Sequence, residues 1–391
     1  MPLPIVSVIV PTFNCNHFIS QCFDSLLSQA LKDFELIVVD DGSTDGTYEL
    51  AQQYAAEHEN VFVYQQNHAF AGAARNLGLS KATGKYVLFL DGDDYFEPTL
   101  LEKAYARITE TDADICCFKA RSLNNETGEI SDIKHSCRTE LCPTSSTFNR
   151  MSNARYLYCF TTPAPWTKMF KRSFIEENNL RFQETRSAND FCFVHTALSV
   201  ASKITVLDEY LVTYRQHNST SLQATQGKDP FAFYQALTAL LDELKQRGLY
   251  GELRHTFENT ALDFCMYNLR TLRYDPEAQR KVFDFLGSTG LEELGIADKP
   301  KDYFYVYPDS RYSDYLLVQD GDFEQYRAAT DPSATRKRSM KDRLRSIIPL
   351  RASTFEKSKK SLHKEIDALK EQNRDLSEKL SKCIELLQEL K

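Results

Sequence analysis

The sequence holds a single tryptophan and five methionines, and no apolar run approaches the roughly 18 residues that cross a bilayer. A membrane-spanning helix is therefore not expected. Ten cysteines are scattered without a Cys-x-x-Cys pair, and Cys116 and Cys117 are adjacent. That spacing argues against a zinc site or a disulfide framework and for reduced thiols in a cytosolic protein. Neither Gly-x-Gly-x-x-Gly nor Gly-x4-Gly-Lys-Ser/Thr occurs, which disfavours a Rossmann dinucleotide site and a P-loop. The opening Met1-Pro2-Leu3-Pro4-Ile5 has no basic residue ahead of its apolar stretch, so a secretory signal is not expected. No internal repeat of about 20–50 residues is visible. What is present is a chain of 391 residues, 42% hydrophobic and 26% charged. These proportions exclude a mainly disordered polymer, and the length allows about two to three domains.

Charge is unevenly placed. The total is −8, yet residues 336–360 carry +8 and residues 361–391 carry −1, which leaves −15 on the first 335. An acidic body with a basic neck does not suit a nucleic-acid binder, whose folded surface should be positive. It suits a domain tethered near an anionic surface.

Short apolar strands alternate with helical stretches through the first 120 residues. Strands are expected at Val6–Val10, Leu36–Val39, Val61–Tyr64, Tyr86–Leu90 and Ile115–Phe118, with helices at His17–Ala30, Asp45–Glu57, Ala71–Lys81 and Pro98–Thr109. Apolar runs bounded by turn residues are the pattern of strands buried on both faces. Their alternation with helices predicts a doubly wound α/β sheet, whose ligands bind beyond the carboxyl ends of the strands. Residues 121–150 read as an irregular excursion. Phe231–Arg247, Leu253–Leu272 and Pro276–Phe285 read as an appended helical part, and the Tyr- and Asp-rich stretch 301–325 suggests no function.

Near the C-terminus, Leu362, Leu369, Leu376, Cys383 and Leu390 recur every seventh position, interleaved with Ile366, Asn373, Leu380 and Leu387. With the first set at d and the second at a, the segment forms about 45 Å of coiled-coil helix. A lone Asn at a predicts a two-stranded parallel homodimer through 362–390. In the neck, Met340, Leu344, Ile347 and Ile348 share one helical face flanked by basic residues. Such a face fits peripheral contact with anionic membrane; a solvated linker is the alternative.

The turns after the strands carry the chemistry. Asp40 and Asp41 follow the second strand, and Asp91, Asp93 and Asp94 follow the fourth. Crowded carboxylates raise one another's pKa unless a cation or donors compensate. An oxygen-only set suits Mn2+ or Mg2+, which share phosphate oxygens with a ligand. The other cluster suits hydrogen bonding to a base or ribose. Asp-Gly-Ser and Asp-Gly-Asp are also ordinary turn sequences. An apolar strand followed by Asp-x-Asp also resembles a haloacid-dehalogenase-type phosphatase, but that class places its motif on the first strand.

Four motifs in order, Ser7-Val8-Ile9-Val10-Pro11-Thr12-Phe13-Asn14, Asp40-Asp41-Gly42-Ser43-Thr44-Asp45-Gly46-Thr47, Ala73-Ala74-Arg75-Asn76-Leu77-Gly78 and Leu90-Asp91-Gly92-Asp93-Asp94, resemble the motif series of family 2 glycosyltransferases. The resemblance spans about residues 5–220. It implies the GT-A fold with a mixed sheet, an inverting mechanism, a UDP-sugar donor and a divalent metal. On the matching motifs it places Pro11, Asn14, Asp40 and Asp41 near the uracil, Arg75 and Asn76 along the donor, Asp91 near ribose and sugar, and Asp93 on the metal. Capping or bracing their helix is the alternative role for Arg75 and Asn76. The family's base is an aspartate about 100 residues beyond the Asp-x-Asp. Asp190 in Ser187-Ala188-Asn189-Asp190-Phe191 occupies that place, with Asn189 departing from the family's usual Glu; Asp190 also suits a helix N-cap. Trp166, in Trp166-Thr167-Lys168-Met169-Phe170-Lys171-Arg172, resembles a segment on the acceptor side, and His217 lies in a later one.

These readings divide the chain into a GT-A domain at 1–220, a helical appendage at 221–330, a basic neck at 331–360 and a coiled coil at 361–391. The expected activity is transfer of a hexose or N-acetylhexosamine from a UDP-sugar to a glycan or lipid-linked glycan, in bacterial surface-polysaccharide synthesis. The expected place is the cytoplasm, peripherally on the inner face of the cell membrane. The alternative is a catalytically silent nucleotide-sugar-binding subunit recruited through the coil.

Overall fold

A computed structural model describes residues 3–216, 229–305 and 309–330. The neck, the coiled-coil heptads and His217 lie outside the described residues. The chain begins β1 (Val6–Thr12), α1 (Asn16–Leu27), β2 (Phe34–Asp40), α2 (Thr47–Glu57), β3 (Val61–Gln65), α3 (Phe70–Lys81), β4 (Tyr86–Phe89), β5 (Tyr95–Phe96), α4 (Leu100–Thr111) and β6 (Ile115–Asn124). It continues β7 (Ile130–Asp132), α5 (Arg150–Asn153), β8 (Lys168–Lys171), α6 (Arg172–Glu177), α7 (Phe191–Val200) and β9 (Ile204–Gln216). Helices follow: α8 (Ala232–Gln246), α9 (Tyr250–Thr271), α10 (Pro276–Phe285), α11 (Leu291–Glu293), α12 (Asp309–Asp320) and α13 (Phe323–Thr330).

All principal strands join one sheet in the order β3-β2-β1-β4-β8-β6-β9-β5, with β7 on β6. The four strands β3-β2-β1-β4 are parallel, β8 runs antiparallel to both of its neighbours, and β9 is parallel to β6. The sheet is thus mixed and covered by helices, as the resemblance implies. Alternation along the strands separates two cores. Ile9, Ile37, Val87 and Phe89 point to one face, and Val8, Leu36, Val38 and Leu88 to the other, as the two-residue period of a strand requires. The first core continues without a break into α8, α9, α10 and α13 through Leu237, Phe257, Val282 and Tyr326. The appended helices therefore bury the same face of the sheet that supports the end of β4.

The stretch 121–150 is more regular than its composition suggested. β6 runs on to Asn124, and Ile130–Asp132 folds back on it as an antiparallel partner. Its polar residues masked the strand because β7 is exposed throughout, so no apolar alternation marks it. In the Tyr-rich stretch, Tyr315 is fully buried and donates to the Ile296 carbonyl at 2.7 Å. Its aromatic richness serves packing of α12.

Pro11 sits inside a strand without harming the ladder. β4 pairs only with Val6–Ile9, and Pro11 falls beyond that pairing, where its missing N–H leaves no bond unmade.

Candidate functional site

The carboxyl ends of β1, β2 and β4 meet at one edge of the sheet. Asp40, fully buried, ties the end of β2 to its neighbours β1 and β3 and to the turn that follows: it accepts from Thr12 Oγ1 (3.3 Å), Gln65 Nε2 (3.2 Å) and the Ser43 amide (3.0 Å). Asn14 adopts a left-handed backbone (φ 49°), which Asn tolerates better than most residues. Its Oδ1 accepts from the Thr44 amide at 2.9 Å, fastening the first turn to the second.

Asp41 is only 2% exposed and serves a loop. Its carboxylate accepts from the amides of Ala69 and Phe70 (both 2.8 Å), from Gln66 Nε2 (2.7 Å) and from His68 Nδ1 (2.8 Å). Phe70 has φ 69°, a conformation that costs a bulky residue about 1–3 kcal/mol; the carboxylate offsets that strain. The loop so ordered presents His68 stacked on the exposed Phe13 at 4.3 Å between ring centroids. This aromatic pair was missed in the sequence. An exposed Phe at the end of a buried strand is its only signal, since His68 has no motif around it.

The third turn holds Asp91, Asp93 and Asp94. Asp94 is 1% exposed, accepts from the Arg215 amide at 2.9 Å and leaves Oδ2 buried without a partner. Burial, and then the charge of Asp91, pushes the Asp93 carboxyl up to about 6. Among the described residues no three His, Cys, Asp or Glu side chains converge as a ready-made metal cluster. A cation at Asp93 would complete its shell with ligand phosphate oxygens and water, the habit of Mg2+ and Mn2+. Raised carboxylates and an orphaned buried oxygen fit that demand.

Arg75 connects this turn to Asn189, which lies 114 positions beyond Arg75 itself. From α3, 5% exposed, it donates to Asp91 Oδ1 at 2.7 Å and to Asn189 Oδ1 at 2.9 Å. Its neighbour Asn76 exchanges two 2.9 Å bonds with the backbone of Phe182. Asn76 is thus a brace, and Arg75 is a brace that also touches the acidic turn. One turn earlier Gly72 lies so close to the segment that a Cβ there would sit 1.9 Å from the Gln183 carbonyl oxygen. Three positions of α3 therefore set the course of residues 182–190.

Asp190 ends that course at the start of α7. It occupies the N-cap position but makes no capping hydrogen bond, so its carboxylate is not spent on the helix. The turn before it places Ala188 at φ 54°. Burial raises the Asp190 pKa, the Arg75 charge opposes the rise, and Asp91 and Lys168 add opposite smaller effects. Lys168 is fully buried and was not singled out from the sequence. Its ammonium donates to Thr161 Oγ1 (3.1 Å), the carbonyls of Thr162 (2.8 Å) and Ala164 (2.9 Å), and Thr167 Oγ1 (3.0 Å). Arg215, also missed, packs over Phe18 and Tyr95. Only the three-dimensional arrangement marks these two as near the acidic turn and the Asp190 loop.

Trp166 is 9% exposed and lies parallel to Tyr214 at 5.4 Å within the second core. Its face is spent on packing.

With this arrangement in view, the chain can be compared with known proteins. Residues 7–178 match the family described as Glycosyl transferase family 2. The glycosyltransferase YibD of Escherichia coli (strain K12) is 30% identical over 305 residues, 74% of this chain and 86% of that protein. The glycosyltransferase EpsJ of Bacillus subtilis (strain 168) is 31% identical over 218 residues, 55% of this chain. This chain spans 62% of EpsJ. The crystal structure of Staphylococcus aureus TarS 1–349 in complex with UDP superposes with a TM-score of 0.60 at 23% identity, covering 85% of this chain and 92% of that one; at that identity it shows the fold alone. The chain belongs to glycosyltransferase family 2. That membership and the mixed sheet remove the haloacid-dehalogenase reading of the Asp-x-Asp turn.

Proposed function

We propose that the protein is an inverting glycosyltransferase that moves a hexose or N-acetylhexosamine from a UDP-sugar to a glycan acceptor in the assembly of a bacterial surface polysaccharide. The observation that carries this reading is the Arg75 fork, which joins Asp91 of the acidic turn to Asn189 beside Asp190. A donor-side carboxylate and a free aspartate are thereby brought to one cleft. TarS has been crystallised with UDP and with UDP-GlcNAc, and Borreliella burgdorferi cholesterol galactosyltransferase is 29% identical over 275 residues. The TarS complexes favour a UDP-linked donor, and the galactosyltransferase favours a hexose.

In this reading Pro11, Asn14 and Asp40 shape the uracil pocket, Asp41 holds the loop that offers His68, and Asp91 meets ribose and sugar. Asp93 would hold Mn2+ or Mg2+, which when bound supplies Lewis-acid stabilisation of the departing diphosphate. Arg75 pairs with Asp91 and fixes the distance between donor turn and base loop. Asp190 accepts the proton of the acceptor hydroxyl as the new glycosidic bond forms, and the C–O bond to diphosphate breaks on the opposite side. A sugar hydroxyl is a weak nucleophile, so this proton transfer is worth about 10²–10⁴ in rate. Asn189 stands where a Glu is usual, and its bond to Arg75 gives it a bracing task. Residues 362–390 form a parallel dimer in this account, and the basic neck lies against the anionic inner leaflet.

The test is a thermal-shift screen of UDP, UDP-glucose, UDP-galactose and UDP-N-acetylhexosamines with and without Mn2+. A cognate ligand at a hundredfold excess over Kd adds about 2.7 kcal/mol to the folded state. No shift with any of them sinks the proposal. A shift without turnover on any acceptor would instead mark a silent binding subunit.

A further inference from the structure

A cavity of about 150 Å³ opens between the Asp190 loop and the appended helices. Asp190 and Ala188 form one wall; Phe264, Tyr267 and Asn268 of α9 form the opposite one, with Asp229 at the rim. The two walls are packed to each other, not merely adjacent. Phe191, the residue after Asp190, stacks on Phe264 with centroids 4.3 Å apart and planes 14° from parallel. Tyr267 is 39% exposed and is held from outside the cavity by Arg311, whose guanidinium lies 5.5 Å from its ring centre and donates to Asp263 at 2.8 Å. Asn268 donates to the Phe264 carbonyl at 2.8 Å, which fixes its amide.

We propose that this cavity is the acceptor subsite and that it takes a pyranose ring, with Tyr267 and Asn268 selecting which one. The inference rests on the glycosyltransferase reading above and extends it to residues beyond the part of the chain that matches the family. Size fits, because a cavity of roughly this volume accepts a six-membered ring. Chemistry fits better. A pyranose offers C–H faces to aromatic rings and hydroxyls around its edge, matching Phe264 and Tyr267 set between Asp190, Asp229 and Asn268. A purely hydrocarbon occupant would strip water from those three polar groups and return no hydrogen bond, which disfavours it. With the ring seated there, Asp190 in the cavity wall meets one of the ring's hydroxyls.

The experiment uses the full chain, the UDP-sugar that gives the largest thermal shift, and p-nitrophenyl hexosides and N-acetylhexosaminides as acceptors, with UDP release as the readout. At least one glycoside should stimulate UDP release. Tyr267→Ala and Asn268→Ala should each raise its KM about tenfold, the size of one lost contact of about 1.4 kcal/mol. Both should keep the UDP-induced thermal shift, and Tyr267→Phe should keep the parental KM, since the ring and not the hydroxyl makes the contact. A KM within twofold of the parent in both alanine variants overturns the subsite. So does a chain that hydrolyses the UDP-sugar while no glycoside stimulates it. A chain with neither thermal shift nor UDP release fails at the earlier reading, and this inference falls with it.

Discussion

At the scale of single residues, the site works by dividing carboxylates into those already satisfied and those left free. Asp40 and Asp41 are saturated by neighbours and act through the loops they hold. Asp190 has no capping bond and is available. Asp190→Asn should lower turnover by about 10²–10⁴ while the UDP-induced thermal shift persists; steady-state kinetics beside thermal shift check both. A base must be ionised to accept a proton. Because burial raises the Asp190 pKa above the ordinary 3.8, activity should be full above the raised value and fall as pH drops through it. The acid limb of kcat/KM should then lie at higher pH than a solvent-exposed aspartate would give; a limb at or below 3.8 would contradict this. Arg75→Lys keeps the charge but loses the planar fork. One ammonium cannot hold Asp91 and Asn189 as two parallel donors do, so kcat should fall by about tenfold or more, while melting shifts by less than the loss of a core side chain would cause. Asn189 stands where the family resemblance leads one to expect a Glu. Its bond to Arg75 explains why an amide suffices there, because the position needs an acceptor for a guanidinium.

At the scale of elements, α3 is the part that aligns the acidic turn with the Asp190 segment. Gly72, Arg75 and Asn76 face the 182–190 segment at successive turns. Gly72→Ala places a methyl 1.9 Å from a backbone oxygen, and a backbone cannot yield as a flexible side chain does. The segment must move, and positioning errors of about 1 Å cost on the order of 10²-fold in rate. We expect kcat to drop by that order in Gly72→Ala, with UDP affinity reduced far less, measured by kinetics and calorimetry on the same preparation. The first four parallel strands are legible in the sequence to within two residues because a run buried on both faces is locally distinctive, whereas β6 runs on past Phe118 to Asn124 and β5, β8 and β9 carry no such run. β7 escaped because its three residues are exposed. The sense of β8, antiparallel within a run of parallel strands, has no local signature either.

For the whole molecule, one hydrophobic core joins the sheet to α8, α9, α10 and α13. The helices that follow the family segment thus reach the wall of the Asp190 cavity. The proposed dimer rests on the heptads, so a chain ended near residue 335 should have the mass of a monomer in light scattering where full length has that of a dimer; equal masses would remove the coil from that role. The order of strands and helices, the acidic turns at strand ends, the heptads and the family motifs are all properties of short windows. Hydrophobic period and turn chemistry act over a few residues, and for that reason the sequence alone determined them. Packing decided the rest: that Trp166 spends its face on Tyr214, that Asp41 is saturated, that Lys168 is buried among oxygens near Asp190, and that Arg75 reaches both Asp91 and Asn189. Those partners lie up to 114 positions apart, and no periodic pattern encodes which side chains meet at that separation. Only the close-packed interior, where each side chain must find room and a partner, selects them.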